Sequence, residues 1–494
     1  MCYSLRMKIF MRKNFHIIFL LFLILISLFT RLNSSPLFDI DYHFNGDSVA
    51  RASLAMDTYL NGINWGISTI WLPLFFTYFS LPLFLHFSIE SLVFFQFFIS
   101  LVTIPLFYYL IQKGFNTRIA ICSSFILSIM PTHARLSNTV LSEPLSLFFI
   151  IAGLFTYLLH RENKKNLYYF FTLFSFLSLS LIRYEGTFFF FAFTFYEVIF
   201  NKRYKSNFIN LAIFLIGMTY YEFLQYNQLG VILHGLLSNN GDSTIVNDLI
   251  FNINSLSDIL ARLTLLIRAD ITYLFYFSFF GALIYIYKHR SLFFLPLTFL
   301  FFFIMVFLGT LKSSVTLFDR YWLITFVLSI PFIFYFFDLL LNKIKISSKL
   351  LLLPVALYLY LIYPLHPLTN TIYTSGMRQA VNYLKSQEML NLEFFIDDIN
   401  TRYMYEAFYA FATAQGKVDR CCNLDTSLYL KSKLTISDEI DLKLEELFTN
   451  NKTKILILLY GSPLHKKLNK NLLLNKYSIT LIKQFNDVLI YSKN

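Results

Sequence analysis

The chain has 494 residues, of which 56% are hydrophobic, 19% are aromatic and only 14% are charged, and its mean hydropathy is +0.58. Soluble domains carry about 25% charged residues, so most of this chain must be solvated by something other than water. The composition excludes an ordinary soluble protein and predicts an integral membrane protein.

The net charge of +12 comes from 41 Lys and Arg against 29 Asp and Glu. The basic residues fall mainly in short connectors between apolar runs, which is typical of cytoplasmic loops and not of a nucleic-acid-binding surface. We therefore expect no nucleic acid among the partners. The four cysteines lack Cys-x-x-Cys or Cys/His ligand spacing, so neither a disulfide framework nor a zinc site is predicted.

The apolar runs predict a polytopic α-helical membrane protein, since a helix needs about 20 apolar residues to cross roughly 30 Å of hydrocarbon. The first run follows a basic stretch but lacks a small-residue cleavage site, so we interpret it as an uncleaved helix. About eleven transmembrane helices are predicted, at 15–32, 91–111, 118–132, 141–160, 167–182, 187–200, 207–225, 271–287, 291–311, 321–341 and 350–364.

The connectors indicate the orientation. If the N-terminus is cytoplasmic, the connectors on that side hold 17 Lys and Arg, which fits the positive-inside rule. If the apolar run 69–88 were counted as a further span, the basic connectors that follow it would fall on the extracytoplasmic side. Its Pro73 and Pro82 also disfavour a straight helix. We expect it to lie at the outer interface together with an amphipathic helix at 48–62. The predicted location is the plasma (inner) membrane.

From His366 onward charged residues become frequent and the spans stop. The stretches "LEFFIDDIN", "KILILLYG" and "DVLIYSKN" predict short strands, and "SGMRQAVNYLKSQ" predicts a helix. The predicted organisation is a transmembrane domain at 1–364 and a small extracytoplasmic α/β domain at 365–494.

Two acidic residues lie at predicted outer helix ends. Asp47 heads "GDSVARASLAMDTYLNG" after the first span, and Glu143 in "LSEPLSLFF" begins the fourth. Each has a structural interpretation, because an acid suits the first turn of a helix and Ser142 could be the N-cap. Ionisable groups at membrane depth are nevertheless costly and are functional candidates by default. The topology places both acids on the same side.

Cations also gather at the predicted outer helix ends. Singly, each could be an interfacial anchor, because long basic side chains reach from apolar surface to the head groups. Together with the two acids they indicate a site for an anionic lipid head group, and a guanidinium group matches the geometry of phosphate oxygens. These cations are His133, Arg135, Arg183, Lys312 and Arg320.

Four segments carry a resemblance to a known family. They are the helix headed by Asp47, "ARLSNTVLSEPLSLFF", "LIRYEG" and "DRYWLITFVLSIPF". Over roughly residues 10–335 the chain resembles the GT-C superfamily of integral membrane glycosyltransferases, nearest the protein O-mannosyltransferase and lipid A aminoarabinose transferase group. Members of that group use polyprenyl-phosphate-linked sugars.

The resemblance implies roles for three residues. Asp47 stands at the position of the catalytic acid in the first outer loop, although Ser48 follows it where a second acid is usual. Glu143 stands at the acidic position of the second outer loop, and Arg320 stands where the donor phosphate is contacted. The family also implies inversion at the anomeric carbon.

This chemistry agrees with the residues. A sugar on a lipid phosphate has a good leaving group that cations would stabilise, and the acceptor hydroxyl needs a carboxylate base as it attacks. We predict Asp47 as the base and Glu143 as a positioning partner or alternative base. The predicted phosphate-binding residues are Arg320, Lys312, Arg183 and Arg135.

The predicted function is transfer of a hexose or pentose from a polyprenyl-phosphate donor to a hydroxyl of an acceptor glycolipid, glycan or protein on the extracytoplasmic face. A secondary transporter is the main alternative, but such proteins typically show inverted repeats and polar groups at mid-membrane, and we find neither pattern. A lipid-linked glycan polymerase or ligase is the second alternative, and donor size would distinguish it.

Metal dependence stays open at the level of sequence. Asp39, Asp41 and His43 in "FDIDYHFNGD", together with Asp47, offer ligands for a divalent cation such as Mg²⁺ or Mn²⁺. A solvated acidic loop is the simpler interpretation of the same residues. Beyond this candidate cation, the sequence assigns no cofactor.

Overall fold

The architecture is mainly helical, with one small sheet near the C-terminus. The computed structural model describes residues 2–34, 46–61, 72, 74–201, 204–229, 255–270, 272–289, 292–311, 319–344, 348–362, 376–389, 394–396, 455–460, 465, 478–485 and 488–493.

Sixteen α-helices follow one another in the described ranges, with short 3-10 turns between some of them. They are α1 (Cys2–Ser34), α2 (Gly46–Asn61), α3 (Leu74–Ser80), α4 (Ile89–Gly114), α5 (Thr117–Ile129), α6 (Pro131–Leu136), α7 (Ser142–Asn163), α8 (Asn166–Ser180), α9 (Tyr184–Asn201), α10 (Tyr204–Leu229), α11 (Leu256–Asp270), α12 (Phe275–Lys288), α13 (Phe294–Leu311), α14 (Asp319–Lys343), α15 (Leu352–Ile362) and α16 (Met377–Ser386).

Five of the described helices, α1, α4, α7, α13 and α14, are long and apolar enough to cross a membrane. Shorter apolar helices occur at Leu74–Phe84, Thr117–Ile129, Phe208–Tyr220 and Phe275–Lys288. The chain is therefore a polytopic helical membrane protein, as predicted. Each of the eleven predicted spans overlaps a described helix, whereas eleven as the number of membrane crossings stays a prediction.

Helix α14 is the central helix of the bundle. Its apolar stretch is 78% buried, whereas that of α1 is 17% buried and presents an apolar face outward. Along α14, Trp322 and Phe326 are fully buried, and Phe326 lies 5.7 Å from the ring of Phe275 on α12. Close ring packing of this kind holds membrane helices together where lipid supplies no hydrophobic drive between them.

The helix ends fall into two groups. The residues that open α7, α9 and α14 contact one another, as described for the candidate site below. At the other end, Lys113 of α4 lies 2.6 Å from Glu162 of α7, and the Tyr285 hydroxyl of α12 donates to the Gly114 carbonyl at 2.5 Å. The bundle therefore has one end rich in buried ion pairs and one end with an exposed ion pair.

In the described part of the apolar run 69–88, the helix Leu74–Phe84 changes from α-helix to 3-10 helix and ends before residue 88. The seven-residue helix α3 is followed by a 3-10 turn at Leu81–Phe84, with Pro82 near its start. The Leu74 amide donates to the Leu181 carbonyl at 3.2 Å, and Tyr78 pairs with Ser178 at 2.9 Å. The change to a 3-10 helix at Pro82 agrees with the expectation that proline disfavours a straight α-helix here, and Pro73 lies outside the described residues. The position of this run at the membrane interface stays a prediction.

A four-stranded sheet lies near the C-terminus, in the order β1-β2-β4-β3, with β1 parallel to β2 and the other pairs antiparallel. Helix α16 packs its buried Ala380, Val381 and Leu384 toward this sheet, and its Tyr383 ring lies 5.7 Å from Phe485. The strands are β1 (Phe394–Ile396), β2 (Ile455–Leu459), β3 (Ile479–Phe485) and β4 (Val488–Lys493).

Three strands and the helix lie where the sequence predicts them, and β3 is the strand that the sequence analysis missed. Its Lys483 and Gln484 are exposed, and its pairing with β4 shifts register between Leu481 and Lys483. Such an irregular edge strand lacks the alternating apolar pattern that marks a half-buried strand.

The chain forms two compact units, residues 1–36, 63–78 and 95–368 in one, and residues 37–62, 79–94 and 369–494 in the other. The first contains most of the helical bundle. The second contains the sheet, α16 and α2, whose Tyr59 ring lies 4.9 Å from Phe84.

Helices α12 and α14 approach closely at Gly281. A methyl group at this position would collide with the backbone carbonyl of Phe332 on α14. Small residues allow such contacts between membrane helices.

We predict that Gly281→Ala destabilises the bundle by about 1–3 kcal/mol, because the backbone of α14 must shift. The measurement is the thermal unfolding temperature of the detergent-solubilised protein. Gly217→Ala on α10 is the matched control, since an added Cβ there meets no atom within 4 Å. Equal unfolding temperatures for the two variants would contradict the predicted contact.

Candidate active site

Glu143 lies in the first turn of α7 and is only 1% exposed. The connector before it is fixed from α4, where the Gln96 side-chain amide donates to the Leu141 carbonyl at 2.7 Å. Leu141, not Ser142, occupies the N-cap position, and its side chain makes no capping bond. The expected capping role of Ser142 is therefore wrong, because its hydroxyl is directed to a guanidinium group instead.

That guanidinium belongs to Arg183, on the turn between α8 and α9. Its Nη1 lies 2.8 Å from Glu143 Oε1 and 3.1 Å from Ser142 Oγ. Its Nε and Nη2 donate to the two carboxylate oxygens of Glu185, at 3.2 and 2.9 Å. Arg183 is 9% exposed, so this is a buried ion-pair network joining the starts of α7 and α9.

Arg320 approaches the same carboxylate from α14. Its Nε lies 4.0 Å from Glu143 Oε1, and its side chain is 11% exposed. The ring of Tyr321 is shared by both cations, with the guanidinium carbon of Arg320 at 4.9 Å and that of Arg183 at 5.4 Å from its centroid. Nη2 of Arg320 also lies 3.1 Å from the Tyr321 hydroxyl oxygen, to which it donates. Three helix starts thus converge on Glu143.

The opposite charges in this cluster stabilise the ionised forms of their neighbours. Burial alone would lower the pKa of the Arg183 guanidinium, but the carboxylates of Glu185 and Glu143 outweigh it and raise that pKa. Burial acts to raise the pKa of the Glu185 carboxyl, but the Arg183 charge and its hydrogen bonds outweigh burial and lower the pKa. Arg183 and Glu185 therefore both remain ionised at neutral pH.

A second buried cluster surrounds Arg31 at the end of α1. Its Nη1 donates to the Ser128 carbonyl at 3.4 Å, and its Nη2 lies 2.7 Å from His133 Nδ1. Because a guanidinium can only donate, His133 Nδ1 must accept and the imidazole is neutral. The Asn138 amide donates to the Arg31 carbonyl at 3.2 Å. Arg31 therefore ties α1 to the connector that leads to Glu143.

The other predicted site residues are placed less completely. Asp47 is the second residue of α2, which confirms a helix there, but its side chain lies outside the described part of the chain. Arg135 is half-buried on α6. Lys312, Asp39, Asp41 and His43 lie outside the described residues. Among the residues that are described, no group of three His, Cys, Asp or Glu side chains could hold a metal ion.

Sequence reasoning missed four residues of these clusters, although signals for them existed. Glu185 and Tyr321 stand within the quoted motifs "LIRYEG" and "DRYWLITFVLSIPF", next to cations that were selected. Arg31 lies in the last turn of the first helix, at the predicted outer end of the first span. Ser142 was given a capping role. A search for charged residues at helix ends would have found Arg31 and Glu185, but only the fold shows that two guanidinium groups lie over the Tyr321 ring.

Fold and cluster together define a class: a polytopic helical membrane protein with buried carboxylate–guanidinium pairs where several helices begin. Comparison with known families agrees with this class. Residues 71–221 match the family model of dolichyl-phosphate-mannose-protein mannosyltransferases. Among curated proteins, no sequence matches the chain.

Solved structures with a similar fold extend over most of the chain. The structure of ArnT from Cupriavidus metallidurans bound to undecaprenyl phosphate has a TM-score of 0.60 at 10% identity, covering 96% of this chain and 97% of that one. The archaeal oligosaccharyltransferase AglB from Archaeoglobus fulgidus, in complex with an inhibitory peptide and a dolichol-phosphate, has a TM-score of 0.52 at 14% identity, covering 91% and 70%. A structure of the Archaeoglobus fulgidus oligosaccharyltransferase with Zn and sulfate gives 0.52 at 14% identity, covering 89% and 68%.

The chain has the fold of the GT-C membrane glycosyltransferases, and the predicted resemblance to that superfamily, near ArnT and the mannosyltransferase group, is confirmed.

Burial lowers the pKa of the His133 imidazole well below its ordinary value, and the Arg31 charge lowers it further. His133 therefore gains a proton mainly on unfolding, so stability is lost as pH falls below the unfolded pKa of about 6.5. We predict that the wild type loses roughly 1.4 kcal/mol more than His133→Gln between pH 7.5 and 5.5. The measurement is unfolding of both proteins at each pH, and an equal pH dependence would contradict the prediction.

Proposed function

We propose that this protein is a membrane glycosyltransferase that moves a hexose or pentose from a polyprenyl-phosphate donor to an acceptor hydroxyl on the extracytoplasmic face. The observation that carries the proposal is the convergence of Glu143, Arg183 and Arg320 at three helix starts. Two proteins of similar fold were solved with undecaprenyl phosphate and dolichol-phosphate, which supports a lipid-phosphate donor here.

Arg320 is proposed to bind the donor phosphate, with Arg135 and Lys312 as further cations. The Arg320 guanidinium lies on the Tyr321 ring and is held more loosely by Glu143 than Arg183 is, at 4.0 against 2.8 Å. As the sugar leaves, negative charge grows on the phosphate oxygens, and a preoriented guanidinium stabilises that charge without reorganisation of solvent.

Asp47 is proposed as the general base. The acceptor hydroxyl must lose a proton while its oxygen attacks the anomeric carbon, and a carboxylate can accept that proton. The Glu143 carboxylate is engaged by two guanidinium groups, so of its two predicted roles we assign it the positioning one. Direct attack from the face opposite the phosphate would invert the anomeric carbon.

The arrangement of helix ends supports the proposed topology. Connectors predicted to be extracytoplasmic supply the buried ion pairs, while Lys113 and Glu162, in connectors predicted to be cytoplasmic, meet at the other end of the bundle. We propose about eleven crossings in the plasma (inner) membrane, a cytoplasmic N-terminus and an extracytoplasmic small α/β domain at 365–494.

We expect Asp47→Asn to lower turnover about 100-fold or more, because the variant keeps the shape of the side chain but not the base. The assay uses the purified protein with a polyprenyl-phosphate monosaccharide and counts free polyprenyl phosphate. Glu162→Gln is the control, since this exposed acid lies at the far end of α7. Unchanged turnover in Asp47→Asn would remove Asp47 from the mechanism.

Arg320→Gln should raise KM for the lipid donor and lower kcat/KM by about 100-fold, because one phosphate-oriented donor group is lost.

Wild-type activity on lipid-linked oligosaccharides in place of monosaccharides would favour the polymerase or ligase alternative. Uptake of a solute without turnover of any lipid donor would favour the transporter.

Sidedness is tested with single cysteines in a background whose four native cysteines are serine. Ser257 and Lys164 are exposed and lie in connectors predicted to face opposite sides. In intact cells a membrane-impermeant maleimide should label Ser257→Cys, and it should label Lys164→Cys only after permeabilisation. Labelling of Lys164→Cys in intact cells would overturn the topology.

Metal dependence is tested in the same turnover assay. If Asp39, Asp41 and His43 bind a divalent cation, a chelator abolishes turnover and Mg²⁺ or Mn²⁺ restores it. Full turnover in chelator would leave these residues as a solvated loop.

A further inference from the structure

Arg183 is bound by protein groups on all three of its nitrogens. Nε and Nη2 face the Glu185 carboxylate, and Nη1 faces both Glu143 and Ser142. A guanidinium has five N–H donors in a fixed planar fork. Three of them donate to Glu185 and Ser142, and Nη1 is also ion-paired with Glu143. Little of this group is left for a phosphate.

Glu185 explains how the guanidinium is held. It is two residues from Arg183, accepts from it in bidentate fashion, and opens α9. The fork-to-fork geometry fixes the plane of the guanidinium as well as its position, which a single point contact would not do. The remaining edge of that plane is thereby directed at Glu143 and Ser142.

Arg183 also fixes the ring beneath Arg320. Its guanidinium carbon lies 5.4 Å from the Tyr321 centroid, and that of Arg320 lies 4.9 Å from the same centroid. Two cations are tolerated at one ring because its faces are electron-rich and two carboxylates balance the charge. The position of Arg320 therefore depends on Glu143 and Tyr321, and Arg183 contacts both.

We propose that Arg183, oriented by Glu185, is a positioning residue that holds Glu143 and Tyr321 so that Arg320 meets the donor phosphate. In this proposal, which rests on the proposed function, Arg183 itself does not contact the donor. In this proposal Glu185 affects the reaction only by orienting Arg183.

Glu185→Gln separates this role from direct phosphate binding, because the two roles predict opposite changes in KM for the donor. If Arg183 bound the phosphate, loss of the neighbouring negative charge would release it and lower KM for the donor. If Arg183 positions Glu143 and Tyr321, the fork loosens, KM rises and kcat/KM falls about 10-fold, since misplacement by about 1 Å can cost up to 100-fold.

Arg183→Lys supplies the second test. A lysine keeps the charge that a simple phosphate contact needs, but it has no fork to hold Glu185, Glu143 and Ser142 together. We expect kcat/KM to fall at least 10-fold in this variant. Glu185→Asp, which retains the carboxylate, should recover part of the activity lost in Glu185→Gln.

The measurements are KM and kcat for a polyprenyl-phosphate monosaccharide, with direct binding of unglycosylated polyprenyl phosphate and unfolding temperature for each variant. Glu162→Gln, which removes the acid of the exposed Lys113–Glu162 pair, is the matched control and should behave as wild type. If the variants are too unstable to assay, Ser142→Ala removes one contact of Arg183 and should lower kcat/KM about 3-fold.

A lower KM in Glu185→Gln, or wild-type kinetics in Arg183→Lys, would overturn the positioning role while leaving the proposed function intact. A wild type that binds polyprenyl phosphate but transfers no sugar would end the proposed function. In that case the binding constants of the same variants still decide between the two roles of Arg183. A wild type that binds no polyprenyl phosphate would overturn both proposals.

Discussion

The buried ion pair between Glu143 and Arg183 is the contact on which the candidate site depends. Removing a carboxylate and a guanidinium from water is costly, and breaking such a pair by deleting one partner leaves an uncompensated charge that typically costs 3–5 kcal/mol. Here the pair joins the starts of α7 and α9, with the Nη1-to-Oε1 distance at 2.8 Å. The geometry of these helix starts is therefore fixed by electrostatics as much as by apolar packing.

Aromatic packing brings the third helix to this pair. Helix α14 carries Arg320 and Tyr321 at its start, and just below them Trp322 is fully buried, with its ring 6.0 Å from Phe303 on α13. Lower down, α12 lies against α14 where Gly281 has no side chain. Since lipid and side chains are similarly apolar, shape fit and close approach decide where α14 sits. This packing therefore places Arg320 of α14 near the Glu143 carboxylate of α7.

Much of the bundle could be predicted from the sequence because length and apolarity report directly on helices in a membrane. All eleven predicted spans overlap helices, and Pro82 lies where the run 69–88 changes from α-helix to 3-10 helix. The site was predicted in part. Glu143, Arg183 and Arg320 were selected as charges at helix mouths, and the structure brings these three together. Their partners were missed because the sequence gives the order of charged residues along the chain but does not show which of them contact one another in the fold.

The difference between Arg183 and Arg320 illustrates that limit. Both are arginines at predicted outer helix ends, and both were predicted to bind phosphate, with Arg320 preferred because the family resemblance places it at the donor phosphate. In the fold, Arg183 lies between two carboxylates and a hydroxyl, whereas Arg320 lies on a tyrosine ring and is more distant from Glu143. An incoming anion could engage the Arg320 guanidinium by replacing its long contact with Glu143 by a shorter one of its own. The short contacts of Arg183 offer no such exchange.

The charge balance of the cluster points in the same direction. Two guanidinium groups face two carboxylates, Glu143 and Glu185, so the four side chains are neutral as a set and can remain buried. An anion that approaches must therefore replace part of an existing pair. The contact between Arg320 and Glu143 is the longest in the network, at 4.0 Å, and so costs least to exchange. In the proposed binding of the phosphate by Arg320, Glu143 would stay neutralised by Arg183, which would keep the carboxylate in place.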